Sequence, residues 1–200
     1  MGDFYEMFDD DAITAHQALG LTLTERSNGI PMAGVPFHAA ENYLQRLIGE
    51  GFRVAVCDQI QDPAEAKGVV DRAVTRVLTP GTLVDESLLD AGHANTTAIV
   101  NIDEQNGSAV IASAELSTGR FDLVETSLDA IVDEVARLAP AELLVSEDQQ
   151  DHPVFVRMME VLSCARTIRP PWTLDPEEGS RLLREHWGVA TLEGWGLDEN

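Results

Sequence analysis

Seven residues near the start of the chain, Gly2-Asp3-Phe4-Tyr5-Glu6-Met7-Phe8, set a bare aromatic ring and a carboxylate two positions apart, ahead of an acidic helix start. A phenyl ring has no polar handle to desolvate, and it can exchange base stacking for ring stacking, worth about 1–3 kcal/mol per base. A carboxylate beside it is acceptor-only, suited to taking a hydrogen bond from a displaced base. A wedge that unstacks one base and an acceptor that interrogates it need these two groups, Phe4 and Glu6. Taken alone the pattern carries little, because a Phe-x-Glu arises by chance about once in every few hundred positions. By itself it reads better as the apolar face of a helix start built from Phe4, Tyr5 and Phe8.

Other residues capable of chemistry are less well placed. Asp103, Glu115 and Asp122 are acids of the kind that share divalent metals, but a two-metal site needs them converging on ions about 4 Å apart. Asp103 stands at a predicted strand end beside Glu104, and no fourth acid follows in a catalytic setting, so solvated strand-end acids are the better reading. His16, His38, His93, His152 and His186 are scattered without ligand spacing, in surface or capping roles. Cys57 and Cys164 also lack metal-ligand spacing and read as buried, reduced thiols of a cytoplasmic protein. Trp172, Trp187 and Trp195 fall late in the chain, where core packing is favoured over a base-stacking platform. No nucleophile–base–acid set and no glycine-rich phosphate loop ending in Lys-Ser/Thr occurs. The expectation is a chain with no catalytic residue, no metal site and no cofactor of its own.

The elements that must position Phe4 and Glu6 follow from periodicity. Phe8, Ala12, Ala15 and Leu19 recur at helical spacing, with Asp9, Asp10 and Asp11 at the start and Gly20 past the end. Leu21–Thr24 reads as a short strand, Ser27-Asn28-Gly29 as a turn, and Pro31-Met32-Ala33-Gly34-Val35-Pro36 as an extended stretch. Tyr43, Leu44, Leu47 and Ile48 mark a helix that stops before Gly51, and 52–59 and 72–78 are valine-rich strands. This half is a small mixed α/β domain, expected over residues 1–80, with a linker at 81–95 that carries a short helix over 85–90. Downstream, strands at 97–102, 108–116 and 120–125 surround the hairpin signal Asn106-Gly107. A helix (128–138), a strand (142–146), a helix (154–162), a strand (165–169) and a helix around 180–187 follow. Three antiparallel strands and then alternating helices and strands is the order of a ribonuclease H-like sheet, expected over residues 96–200.

Charge restricts the partners. The chain carries a formal net charge of −22, opposite to the basic stripe of proteins that hold DNA by neutralising phosphates. Residues 1–95 hold 15 Asp+Glu against 6 Lys+Arg, net −9, and residues 96–200 hold 20 against 7, net −13. Any DNA contact must therefore be local and geometric. No apolar run approaches the roughly 20 residues of a membrane span, and no signal peptide opens the sequence.

In the order in which they stand, these residues resemble the MutS family of DNA mismatch repair proteins. Gly2-Asp3-Phe4-Tyr5-Glu6-x-Phe8 is similar to the string that opens the family's mismatch domain. It is followed by Pro31–Pro36, by Asn42-Tyr43, by Val54-Ala55-Val56-Cys57-Asp58-Gln59 ending near Asp62-Pro63, and by Arg72, Val74, Thr75 and Arg76 leading into Thr79-Pro80-Gly81-Thr82. Ser117-Thr118-Gly119 and Phe121 are similar to the connector domain that comes next. The resemblance implies that Phe4 enters the minor groove at a mismatched or unpaired base and that Glu6 accepts a hydrogen bond from that base, with Arg26, Met32 and Arg76 as flanking contacts. It implies mismatched double-stranded DNA, a second MutS subunit and a MutL-type factor as partners, and ATP with Mg bound by a domain outside these residues. It also leads one to expect a fragment, with Met1 an interior methionine and the connector domain incomplete at its C-terminal end. The competing expectation is an inter-domain or partner-docking module on a ribonuclease H-like scaffold, without DNA contact.

Overall fold

The computed structural model describes residues 4–61, 68, 70–83, 88 and 95–197; within them the first segment, Phe4–Phe8, is a strand (β1) and not the start of a helix. Its aromatic residues suit a pleated, half-buried surface. Phe8 keeps extended backbone, and the helix α1 (Asp9–Leu19) begins directly after it. Phe8 therefore leaves the helical stripe that its spacing suggested, while Ala12, Ala15 and Leu19 are buried as expected. Asp9, Asp10 and Asp11 occupy the first turn, where negative charge complements the helix dipole. Gly20, at φ 70°, ends the helix by donating its N–H to the His16 carbonyl at 2.9 Å.

The strand expected over 21–24 lies further on, at Thr24–Arg26 (β2). The turn decides this: Gly29 donates to the Arg26 carbonyl at 3.1 Å, with Asn28 and Gly29 both at positive φ, so pairing starts at Arg26 opposite Ile30. The next strand, β3 (Ile30–Pro36), is the centre of a three-stranded antiparallel sheet ordered β1-β3-β2. A short 3₁₀ turn over Phe37–Ala39 leads into α2 (Ala40–Gly49), which buries Leu44, Leu47 and Ile48. Strands β4 (Val54–Gln59) and β5 (Arg72–Leu78) form a separate two-stranded sheet with a register shift at Val56/Cys57. Cys57 is exposed rather than buried, since side chains alternate along β4 and Val56 takes the inward position, and Cys164 is half-buried. Leu44, Ile48, Val56, Leu78, Leu83 and Leu88 make one core, on which Tyr5 and Val54 pack. Leu83 and Leu88, from the segment expected as linker, thus close this core; the rest of the helix expected over 85–90, with Asp62-Pro63, Lys67 and His93, lies outside the described residues.

The second half is a five-stranded sheet. Strands β6 (Thr96–Asp103), β7 (Ser108–Glu115) and β8 (Arg120–Ser127) form the antiparallel meander, followed by α3 (Ile131–Leu138), β9 (Glu142–Ser146), α4 (Pro153–Val161), β10 (Ala165–Arg169) and α5 (Pro176–Trp187). The order is β10-β9-β6-β7-β8, with β9 parallel to both β6 and β10. This is the ribonuclease H-like arrangement read from the sequence. Helices α3 and α4 cover one face through Ile131, Val132, Val135, Phe155 and Met158, packed on Ala98, Val100, Ile111, Leu143 and Val145. Helix α5 starts earlier than its periodicity suggested because the Asp175 carboxylate accepts from the Glu178 N–H and Pro176 sits in the first turn. Trp187 stacks on Trp195 at 4.5 Å and meets Phe121 edge-on at 6.3 Å, whereas Trp172 stands exposed.

Candidate nucleic-acid interface

Alternation across the three-stranded sheet gathers four of the sequence-selected residues on one surface. Phe4 pairs with Pro36, Glu6 with Gly34, Phe8 with Met32, Thr24 with Met32, and Arg26 with Ile30. Directly paired residues share a face, so Phe4, Glu6, Phe8, Thr24, Arg26 and Met32 all point the same way. The Phe4 ring is 60 % exposed, and Glu6 is exposed beside it, its carboxylate without a hydrogen-bond partner among the described residues. A single exposed phenylalanine is ordinary on a protein surface. What is less ordinary is its floor. Opposite Glu6 stands Gly34, where an added Cβ would lie 3.5 Å from Phe4 Cδ1 and 4.0 Å from Glu6 Cγ. The ring therefore leans over bare backbone, and it can swing away without abandoning a packed side chain. Arg26 holds its guanidinium over the Phe8 ring at 5.3 Å, which keeps the nearest cation of this face two positions along from Glu6.

The strand that carries Phe4 and Glu6 is anchored through its opposite face. Tyr5 stacks against Phe37 at 5.7 Å between centroids, and its hydroxyl donates to Asp58 Oδ1 at 2.5 Å. The Thr75 hydroxyl donates to the other oxygen of Asp58. One carboxylate thereby ties β1 to both strands of the β4–β5 hairpin. The Thr75 and Tyr5 hydroxyls hold the Asp58 carboxyl below its ordinary value of 3.8, and the bond to Asp58 is the main cause that holds the Tyr5 phenol above 10.0. The signs give the pH window. A lowered carboxyl adds stability that is present above its ordinary value and lost as pH falls through the folded one; a raised phenol adds stability present below about 10 and lost as pH rises further. Tyr5→Phe should cost about 1 kcal/mol at neutral pH, a charge-assisted bond discounted for its partial exposure. That corresponds to a fall of about 2–4 °C in Tm for a chain of this size. Thermal melts should show the gap closing as pH falls through the lowered Asp58 value, beneath which the carboxyl is protonated in both states; a gap independent of pH would remove the carboxylate from the account.

Arg76 stands apart from this surface. It lies on β5 opposite Val56, and its guanidinium donates to Glu41 at the start of α2, 3.3 Å away. The three acids of the meander do not meet. Asp103 closes the β6–β7 turn, accepting from the backbone N–H groups of Gln105 and Asn106. Glu115 is at the far end of β7, about 20 Å away at strand spacing, and Asp122 is paired with Arg120 at 2.6 Å. No group of His, Cys, Asp and Glu among the described residues is arranged to hold a metal. His152 caps α4 through its Nδ1 and lies 2.8 Å from Glu104, and His16 meets the Leu21 carbonyl. Gly34, Asp58 and Phe37 were not selected from the sequence as site residues. Only Gly34 left a local trace there, as the one residue without a side chain inside a proline-bracketed strand.

The comparison with protein families is consistent along the chain. Residues 1–87 match the model for MutS domain I, and residues 96–200 match the model for MutS domain II.

Proposed function

From the premise that the chain belongs to the MutS family of DNA mismatch repair proteins, we propose that the β1 face probes duplex DNA for a base that has lost its partner, with Phe4 as the wedge and Glu6 as the acceptor. The observation that carries this reading is the shared, open face of Phe4 and Glu6 above Gly34. Alternate residues of a strand emerge about 7 Å apart, two residue rises. A ring inserted at one base step opens that step to about the same distance, so the Glu6 carboxylate lies within reach of the edge of the base the ring displaces. Unstacking costs a few kcal/mol per step, and least where pairing is already broken. The wedge would thus sense weakness in the duplex, and Glu6 would reward a base whose donor is free. Met32 and Arg26 extend the same face and are proposed as flanking contacts. Arg76 is proposed as a backbone contact only after release from Glu41.

We assign residues 1–80 to the mismatch unit and 96–200 to the connector, with the boundary inside 81–95. The partners proposed are mismatched duplex DNA, a second MutS subunit and a MutL-type factor. A second reading, favoured by the net charge of −13 on residues 96–200, keeps the connector off DNA as a scaffold between domains. No helix among the described residues is long and apolar enough to cross a membrane.

The test is a titration of the chain against duplexes that differ by one mismatch, with a fluorescent base analogue at the flawed step. The expected result is brightening of the mismatched duplex alone, as the analogue leaves the stack. No change with either duplex at saturating concentrations of the chain would reject the reading. Because the chain is strongly acidic, its dissociation constant at about 150 mM salt is expected to be weaker than micromolar, and lowering the salt should not rescue binding, since it unscreens the repulsion between chain and duplex. Submicromolar binding in a filter or anisotropy assay would show a phosphate grip that these residues do not explain.

A further inference from the structure

One buried carboxylate takes no part in the surface described above. Glu142, at the start of β9, is 1 % exposed, and no cation neutralises it among the described residues. Its Oε2 accepts from the Thr79 hydroxyl at 2.5 Å and from the Gly81 N–H at 3.1 Å, and its Oε1 accepts from the Thr167 hydroxyl at 2.6 Å. Burying a carboxylate is costly unless its lone pairs are satisfied, and three donors satisfy these. Two of the donors come from the Thr79–Thr82 segment that leaves β5, and the third from β10 of the five-stranded sheet. Thr97 on β6 adds a bond from its hydroxyl to the Gly81 carbonyl at 2.7 Å.

The approach is close enough to exclude any side chain at position 81. An added Cβ there would lie 2.1 Å from Thr97 Oγ1 and 2.9 Å from Glu142 Cβ. The segment itself is braced by a bond between the Thr79 and Thr82 hydroxyls at 2.7 Å. Beside this point the two halves separate. A cleft of about 660 Å³ runs between the end of α2 and the β9–β10 edge, lined by Ile48, Glu50, Pro80, Ala141, Cys164 and Ala165. Across it a Cβ added at Gly51 would meet only the Ala165 methyl, at 3.8 Å. The halves are thus joined at a tight, polar point next to open space.

We propose that the Glu142 carboxylate is the pin of this joint: by binding the exit of β5 on one side and Thr167 on the other, it fixes the angle at which the β1 face is carried on the five-stranded sheet. Glu142 is then a positioning residue, and its role holds whether or not Phe4 enters DNA. Glutamine has nearly the same shape but no charge and one acceptor oxygen: because the Gly81 N–H can only donate, the Nε2 group must face the Thr167 hydroxyl, which has to turn from donor to acceptor, and every bond at the joint loses its charge assistance.

The experiment measures distances between spin labels in the whole chain. One pair spans the joint (Thr24→Cys and Asp151→Cys in a Cys57→Ser, Cys164→Ser background); a control pair lies within the first unit (Thr24→Cys with native Cys57 and Cys164→Ser). Glu142→Gln and Gly81→Ala should each broaden the spanning distribution at least twofold and leave the control pair unchanged. Thr79→Ser, which keeps the hydroxyl, should preserve the narrow distribution, and Thr79→Val should broaden it. Amide exchange at Gly81 should quicken by at least tenfold in Glu142→Gln. An unchanged spanning distribution in Glu142→Gln overturns the proposal. So does a Glu142→Gln chain that loses its connector fold while Thr79→Val and Gly81→Ala leave the spanning distances narrow, since Glu142 would then serve only the sheet that contains it.

Discussion

Replacing Phe4 with alanine should remove most of the preference for a mismatched over a matched duplex, a fall of about tenfold to a hundredfold in the ratio of the two dissociation constants. The size follows from the stacking that an inserted ring exchanges with a base, about 1–3 kcal/mol, at about 1.4 kcal/mol for each factor of ten. The loss should appear on the mismatched duplex alone, because a ring that never enters matched DNA makes no contact there to lose. The variant should also fold normally. Phe4 is largely in water and rests on Gly34, so its removal leaves no core cavity, and Tyr5 still holds the strand through Asp58. Phe4→Leu separates insertion from stacking, since leucine can wedge a step open but offers no π face; it should keep part of the selectivity. The measurement is competition between the two duplexes at about 150 mM salt, where screening limits the repulsion between the acidic chain and either duplex. An alanine variant that discriminates as well as the parent would withdraw the wedge from Phe4.

How much of this was legible beforehand depended on the range of the interaction. Strands β9 and β10 were read to the residue, because β9 is a short, mostly apolar run after Pro140 and β10 alternates between Ser163-Cys164 and the stop at Pro170-Pro171, and the Asn106-Gly107 turn set the meander. The identity of the wedge face also came from local order, since period-two alternation from Phe4 to Phe8 decides what points outward once β1 is known to be a strand. That last condition was the obstacle. Phe8 belongs to a helical spacing with Ala12 and Ala15, and only pairing with Met32, far along the chain, holds it extended. Asp58 and Tyr5 are 53 residues apart, and Glu142 is 61 residues from Gly81. In the sequence an acid on a strand looks solvated, so neither carboxylate announced its partners. Cys57 misled in another way: the run from Val54 to Cys57 is apolar at every position, so composition alone did not show that alternation buries Val56 and turns Cys57 outward.

Glu6 carries the second large effect, and its direction is opposite to that of a lost contact. A carboxylate about 8 Å from a phosphate repels it by about 0.5 kcal/mol in water, so a few nearby phosphates together oppose binding by about 1–2 kcal/mol. On matched DNA nothing offsets this, because the donors of each base are already paired. On a mismatch the displaced base donates to the carboxylate, a charge-assisted bond worth about 1.5–3 kcal/mol. Glu6→Ala should therefore tighten binding to the matched duplex by about tenfold while affinity for the mismatched one changes little, and selectivity falls by that same factor. Salt provides the signature. Repulsion across such a distance is screened once the Debye length approaches 8 Å, so the gain on matched DNA should be largest at about 50 mM salt and shrink by about 200 mM. Glu6→Gln, which retains an acceptor oxygen without the charge, should reproduce the gain on matched DNA and keep more of the mismatch affinity than alanine does. Paired titrations of both duplexes across that salt range decide the matter: equal losses on the two, or a gain indifferent to salt, would mean that Glu6 does not discriminate by charge.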